Sequence, residues 1–152
     1  AAEPVLTRCA DPTRPSAWID ERVMEVDRYL HDRGWAHSVE TWNAQGRLVG
    51  GLYGVSVGGF FSGESMFHDP EYGRDASKTA LMRLVCELGP GLLDVQWSTP
   101  HLARLGVIDV DRAEYLALLS DALERPSPQW TSLDDPAWNG GHLLERLRKM
   151  TN

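Results

Sequence analysis

The stretch AHSVETWNAQGRLVGGLYGVSVGGFFSGESMF, residues 36–67, decides the fold. Ala36 to Trp42 is rich in β-formers, and Asn43-Ala44-Gln45-Gly46 has the composition of a turn. Arg47 to Val57 reads as a second strand and Phe60 to Phe67 as a third. Gly58-Gly59 between them fits a two-residue hairpin turn. Three such strands in succession predict an antiparallel meander.

Downstream, His68 to Arg74 holds a proline and a glycine and reads as a loop. Asp75 is placed to cap a helix running to about Leu88, with Ala80, Leu81, Leu84, Val85 and Leu88 as its buried stripe. Gly91 to Gln96 contains a short apolar strand, Leu92-Leu93-Asp94-Val95. A strand, a helix and a strand in this order predict a parallel pair. Pro100 fits the first turn of a short helix that Gly106 ends, and Val107 to Val110 reads as a further strand. Asp111 with Glu114 resembles a capping box for a helix through Leu123.

Upstream, residues 17–33 read as a helix that Gly34 stops. Ile19, Val23, Val26 and Leu30 would form its buried face. Residues 1–15 are rich in proline and polar residues and read as an irregular lead-in. The tail from Arg125 to Asn139 looks loop-like, and Leu143 to Lys149 fits a final short helix. The expected architecture is α+β: a mixed sheet, antiparallel meander plus parallel strand-helix-strand, flanked by helices. Residues 1–124 would form one domain, and 125–152 a C-terminal extension packed on it or trailing from it.

Composition narrows the function classes. The chain has 152 residues, and its formal net charge of −7 argues against a broad nucleic-acid-coating surface. No run approaches the roughly 18 apolar residues of a spanning helix, so no membrane partner is expected. Ala1-Ala2-Glu3-Pro4 lacks a charged region followed by an apolar one, which points away from a secretion signal. Cys9 and Cys86 match no metal or redox spacing and read as reduced structural thiols, so a cytoplasmic location is expected. The five histidines are scattered. No metal and no cofactor are expected; a Walker loop and a dinucleotide fingerprint are both missing.

Three local features carry chemistry. Glu64 is a carboxylate inside an apolar strand, either a satisfied structural hydrogen-bonder or a site residue. Plain alternation puts it on one face with Met66, and Phe61 on the other with Gly63 and Ser65. Asp94 and Gln96 lie at the C-terminal end of an apolar strand, where open α/β sheets bind ligands; their spacing of two puts both on one face. They read equally as polar strand-end residues feeding a turn. Finally, Ser77 and Lys78 at a helix start could meet an anion, or be a plain capped end with a solvated lysine.

Taken in order, these features carry a resemblance. Trp35-Ala36-His37-Ser38-Val39-Glu40, then Leu48-Val49-Gly50-Gly51-Leu52-Tyr53-Gly54-Val55, then Gly63-Glu64-Ser65-Met66-Phe67, then Ala76-Ser77-Lys78, then Leu93-Asp94-Val95-Gln96, then His101-Leu102 with Leu105-Gly106, resemble the leucyl/phenylalanyl-tRNA–protein transferase family. The match runs from about Cys9 to about Leu119. It implies a GNAT-like catalytic domain that moves an amino acid from the 3′ end of an aminoacyl-tRNA onto an amine. The glycine loop by which relatives hold acetyl-CoA is missing from His68–Lys78, which favours an aminoacyl-tRNA donor.

On this resemblance Gln96 aligns the incoming amine, and Asp94 orients Gln96 or balances an acceptor's positive charge. Glu64 lies beside the aminoacyl-adenosine, and Leu52, Phe61, Leu81 and Leu84 shape an apolar pocket for the transferred side chain.

The sequence also departs from the family pattern. The N-terminal domain of full-length members is missing, the 68–75 loop is longer than usual, and Arg104 stands where a serine is usual. Basic residues left for tRNA are Arg47, Arg74, Lys78, Arg83, Arg104 and Arg112. The expected activity is therefore amide formation between an apolar amino acid carried on tRNA and an amino group of a small molecule or peptide. Tagging of protein N-terminal Arg or Lys is the alternative, and a non-catalytic binder of aminoacyl ends or peptides a further one.

Overall fold

The architecture follows from one sheet with unequal faces. In a computed structural model, residues 3–14, 17–130, 143, 145–146 and 148–149 are described. The elements are α1 (Glu3–Cys9), α2 (Glu21–Asp32), β1 (Ala36–Trp42), β2 (Leu48–Val57), β3 (Phe60–His68), α3 (Ala76–Leu88), β4 (Leu92–Asp94), α4 (Pro100–Ala103) and α5 (Arg112–Glu124). The sheet order is β1-β2-β3-β4. The first three strands form the antiparallel meander, and β4 adds parallel to β3 after the α3 crossover.

Side chains alternate along β2, so it feeds two cores. Leu52 packs with Val39, Phe61, Ala80, Leu81, Leu84 and Leu88 beneath α3. Tyr53 packs with Val5, Leu6, Cys9, Ile19 and Phe67 under α1 and the start of α2. Helix α3 approaches β2 closely: a Cβ on Gly50 would stand 2.5 Å from Ala76 Cβ, so only glycine lets the two backbones meet.

A bulge breaks the alternation of β3. Tyr53 opposes Ser65 and Gly54 opposes Gly63, leaving Glu64 without an opposite number. The extra residue brings Phe61 to the face of Leu52 and Met66, against the expectation from plain alternation.

Several further expectations are corrected. The lead-in contains a helix, α1, because Pro4 lies in its first turn, where no amide hydrogen is needed. Helix α2 starts after Asp20, whose carboxylate caps Val23 N–H at 3.0 Å. Its inward residue is Asp27, 8% exposed, while Val26 is 58% exposed. Asp75 does not cap α3 with its side chain; it adopts a left-handed φ of 61° and pairs with Lys78 instead. Residues 107–110 form no strand. Asp111 caps α5 as expected, accepting from Glu114 N–H at 2.9 Å.

In the tail, Trp130 stacks on His37 (ring centroids 4.3 Å apart) and packs against Phe61. Residues 143, 145–146 and 148–149 are helical. The rest of the expected final helix and the end of the expected loop lie outside the described residues. Both cysteines are free and buried.

Asp69 ties the N-terminal helix to the loop after β3. Its buried carboxylate accepts from Arg8 at 3.3 Å, Arg47 at 3.4 Å and the amides of Glu71 and Tyr72. The Tyr72 amide chiefly, then the Glu71 amide and the two arginines, hold this carboxyl below its ordinary value of 3.8 against the effect of burial. A carboxyl lowered on folding contributes stability above its unfolded pKa, and that stability is lost as pH falls through the native value. Asp69→Asn should therefore melt below the parent chain at neutral pH, with the gap closing below about pH 3.8. Thermal melts across pH check this; a gap constant into acid would contradict it.

Candidate active site

Apolar residues from the middle of α3 and from the sheet leave a slot. About 250 Å³ is enclosed by Leu52 and Met66 from the sheet, Leu81 and Leu84 from α3, Leu93 and Val95 from β4 and its exit, and His101 and Leu102 from α4. Helix α4 closes one side because Thr99 caps it and Pro100 starts it. An apolar cavity of about 150 Å³ already admits a benzene ring, so this one has room for a side chain of leucine or phenylalanine size. A cleft of about 920 Å³ adjoins it, lined by Asp94, Gln96, Trp97, Ile108 and Tyr115 among others. Leu81, Leu93 and Val95 face both spaces.

Asp94 and Gln96 line the cleft on either side of Val95, which faces both spaces, and they are held differently from the expectation that alternation presents both on one face. Strand β4 ends at Asp94, and the chain turns tightly so that Trp97 N–H donates to Val95 O at 2.7 Å. Gln96, at the turn's centre, takes a φ of 64°. Left-handed backbone costs a side-chain-bearing residue about 1–2 kcal/mol, and such strain persists where the surroundings enforce it. Here the enforcement is visible. Asp94 Oδ1 accepts from Gln96 N–H at 2.7 Å, and Gln96 Nε2 donates to Gly63 O at 3.1 Å. A carbonyl only accepts, so the amide nitrogen must point at Gly63 and the amide oxygen away from it.

Tyr115 completes the arrangement. Its hydroxyl donates to Asp94 Oδ2 at 2.7 Å, and that bond, ahead of burial and the carboxylate's charge, raises the tyrosine pKa. The sequence reading missed Tyr115 as a partner because α5 lies distant along the chain and a tyrosine on a helix signals nothing about a strand tip. It also passed over Met66, Leu93, Val95, His101 and Leu102 as lining, all within segments already singled out.

The other expected site residues divide. Leu52, Leu81 and Leu84 line the slot. Phe61 does not; it is fully buried in the cluster beneath. Glu64 reaches the lining, but its carboxylate accepts from Ser62 Oγ at 3.1 Å. Ser77 is buried at the start of α3, and Lys78 is paired with Asp75, so neither lines the slot or the cleft. Among the described residues no cluster of His, Cys, Asp and Glu is suited to a metal, and no helix is long and apolar enough to cross a membrane.

An apolar slot beside a polar turn, where a parallel strand leaves a mixed sheet, defines a GNAT-like α+β domain. A sequence model described as "Leucyl/phenylalanyl-tRNA protein transferase" matches residues 1–120. The chain belongs to that family. Among similar proteins bearing the name leucyl/phenylalanyl-tRNA–protein transferase, that of Rubrobacter xylanophilus is 48% identical over 124 residues, covering 80% of this chain and 62% of the relative. That of Rhodopseudomonas palustris is 50% identical over 125 residues, covering 79% and 54%. That of Afipia carboxidovorans is 42% identical over 156 aligned positions, covering 99% and 67%. The chain thus spans roughly half to two-thirds of the length of these relatives.

Proposed function

We propose that this chain forms an amide bond between an apolar amino acid, delivered on the 3′ end of its tRNA, and an amine. The observation that carries the reading is Gln96 locked in the cleft wall next to Val95, which also lines the slot, with its amide oxygen turned away from Gly63. The slot takes the esterified side chain, and the cleft receives the acceptor. The Gln96 oxygen accepts one N–H of the acceptor amine and turns the nitrogen lone pair toward the ester carbonyl. The C–N bond forms as the C–O bond to the ribose breaks, and the displaced ribose oxygen takes up the proton the amine loses. An amine attacking an ester runs downhill, so alignment supplies most of what the reaction needs. Asp94 serves as a positioning residue: it fixes the Gln96 backbone and is itself fixed by Tyr115.

The acceptor is the amino end of a peptide chain. The size of the cleft supports this, as does the protein acceptor in the relatives' name. The slot's walls are mostly apolar, and the one carboxylate in its lining, Glu64, accepts from Ser62, so the slot selects by size and greasiness, about 1–3 kcal/mol per methylene.

Incubation with tRNA charged with labelled leucine or phenylalanine and peptides of varied first residue tests the reading. Labelled amide product is the expected result, and none on any amine, small or peptidic, overturns it. In the same assay Tyr115→Phe should lower kcat about tenfold with KM nearly unchanged, since it frees one oxygen of a positioning carboxylate. An effect on KM alone would remove Tyr115 from this role.

A further inference from the structure

The opposite face of the sheet holds a second hollow that the transfer reading does not use. It encloses about 270 Å³ between α1, α2 and β1, with Leu6 and Ala36 among its apolar lining. Two polar side chains reach it from the core: Asp27, 8% exposed, and Tyr53, 3% exposed. Asp27 Oδ2 and the Tyr53 hydroxyl are buried and neighbour each other, and neither has a further hydrogen-bond partner among the described residues. Buried polar atoms are rarely left so, and a buried carboxylate least of all.

The neighbouring charges do not satisfy it. Arg28 also lines the hollow, but its guanidinium is engaged by Glu3 at 3.0 Å and Glu21 at 2.9 Å. His31 points its Nδ1 at Ala36 O, 2.9 Å away, and a carbonyl there requires the ring to donate. Glu3 and Asp32 add further negative charge to the lining. Burial chiefly, then the charge of Glu64, pushes the Asp27 carboxyl up, although Tyr53 works the other way.

We propose that this hollow is a second ligand site, which takes a small organic ammonium with a short apolar body. The ammonium donates to Asp27 Oδ2 and to the Tyr53 hydroxyl oxygen, and the body lies on Leu6 and Ala36. Charge fixes the class. A carboxylate with no counter-ion in an apolar hollow gains most from a cation, a neutral alcohol satisfies one hydrogen bond only, and an anion is repelled. Tyr53 lines both this hollow and the slot, yet the inference needs neither tRNA nor transfer activity.

The test is NMR titration of the full ¹⁵N-labelled chain with benzylammonium, benzyl alcohol and benzoate in turn. Benzylammonium should give saturable shifts at the amides of Asp27, His31, Ala36 and Tyr53, and the other two should not. Asp27→Asn should weaken that binding at least about tenfold. Equal binding of the alcohol, shifts confined to Val95–Trp97, no saturable shift, or an Asp27→Asn chain that binds unchanged would each overturn the proposal. If Asp27→Asn does not fold, the contrast between ammonium and alcohol on the parent chain decides.

Discussion

Gln96→Gly is expected to cut amide formation about 100-fold while leaving the fold intact. The two effects separate because Gln96 does two things. Its backbone holds a left-handed φ of 64°, which glycine adopts without penalty. The relief offsets the extra freedom that glycine gives the unfolded chain, so the melting temperature should stay within about 2 °C of the parent. Its side chain presents the oxygen that aligns the amine, and glycine presents nothing. The loss should fall in kcat for transfer, because in the proposed mode the esterified side chain is bound by Leu52, Leu81 and Leu84, which line the slot. Single-turnover transfer from charged tRNA, beside a thermal melt, reads both. An undiminished rate would remove Gln96 from catalysis. A lost fold would show the turn to be structural first.

Gly54→Ala is expected to destabilise the chain by about 3 kcal/mol. The methyl group would stand 2.0 Å from Ser62 O and 2.5 Å from the Phe61 ring. Neither neighbour has room to yield. Ser62 is locked in the β2–β3 ladder opposite Val55, and Phe61 is fully buried. The substitution lands at the register shift that sends Phe61 to the α3 side, so it attacks the floor on which the slot stands. Urea or thermal denaturation checks it, with a melting temperature lower by about 6–12 °C. A variant within about 1 kcal/mol of the parent would mean that the bulge is not placed as described.

Much of the fold was legible because its signals are local. Residues 36–67 carry strand composition broken by Asn43–Gly46 and Gly58-Gly59, and the structure turns at both places. Most of the α3 stripe held because Ala80, Leu81, Leu84 and Leu88 are apolar and buried, whereas Val85 is half-buried and Cys86 is buried instead. What failed involved forces a periodicity count does not register. Asp27 lies on the same side of α2 as Val23 and Leu30, four and three positions away, so geometry buries it whatever its polarity. The bulge at Glu64 is a property of two strands together, invisible in either alone. Val107 to Val110 has the residues of a strand but no ladder partner, and Ile108 is 77% exposed. At the site, the resemblance marked Asp94 and Gln96, whereas the strained turn is held by a bond from Gln96 to Gly63 on the neighbouring strand, and the Tyr115 bond forms only when α5 docks beside β4.

Leu81, Leu93 and Val95 form a common partition between the slot and the cleft, the chambers proposed for donor and acceptor. Whatever leans on one side of that wall is felt on the other. A bulkier donor side chain therefore narrows the room left for the incoming amine, and kinetic constants for the two substrates cannot be tuned one at a time. Drift in either preference along a lineage drags its counterpart with it, because three side chains answer to both.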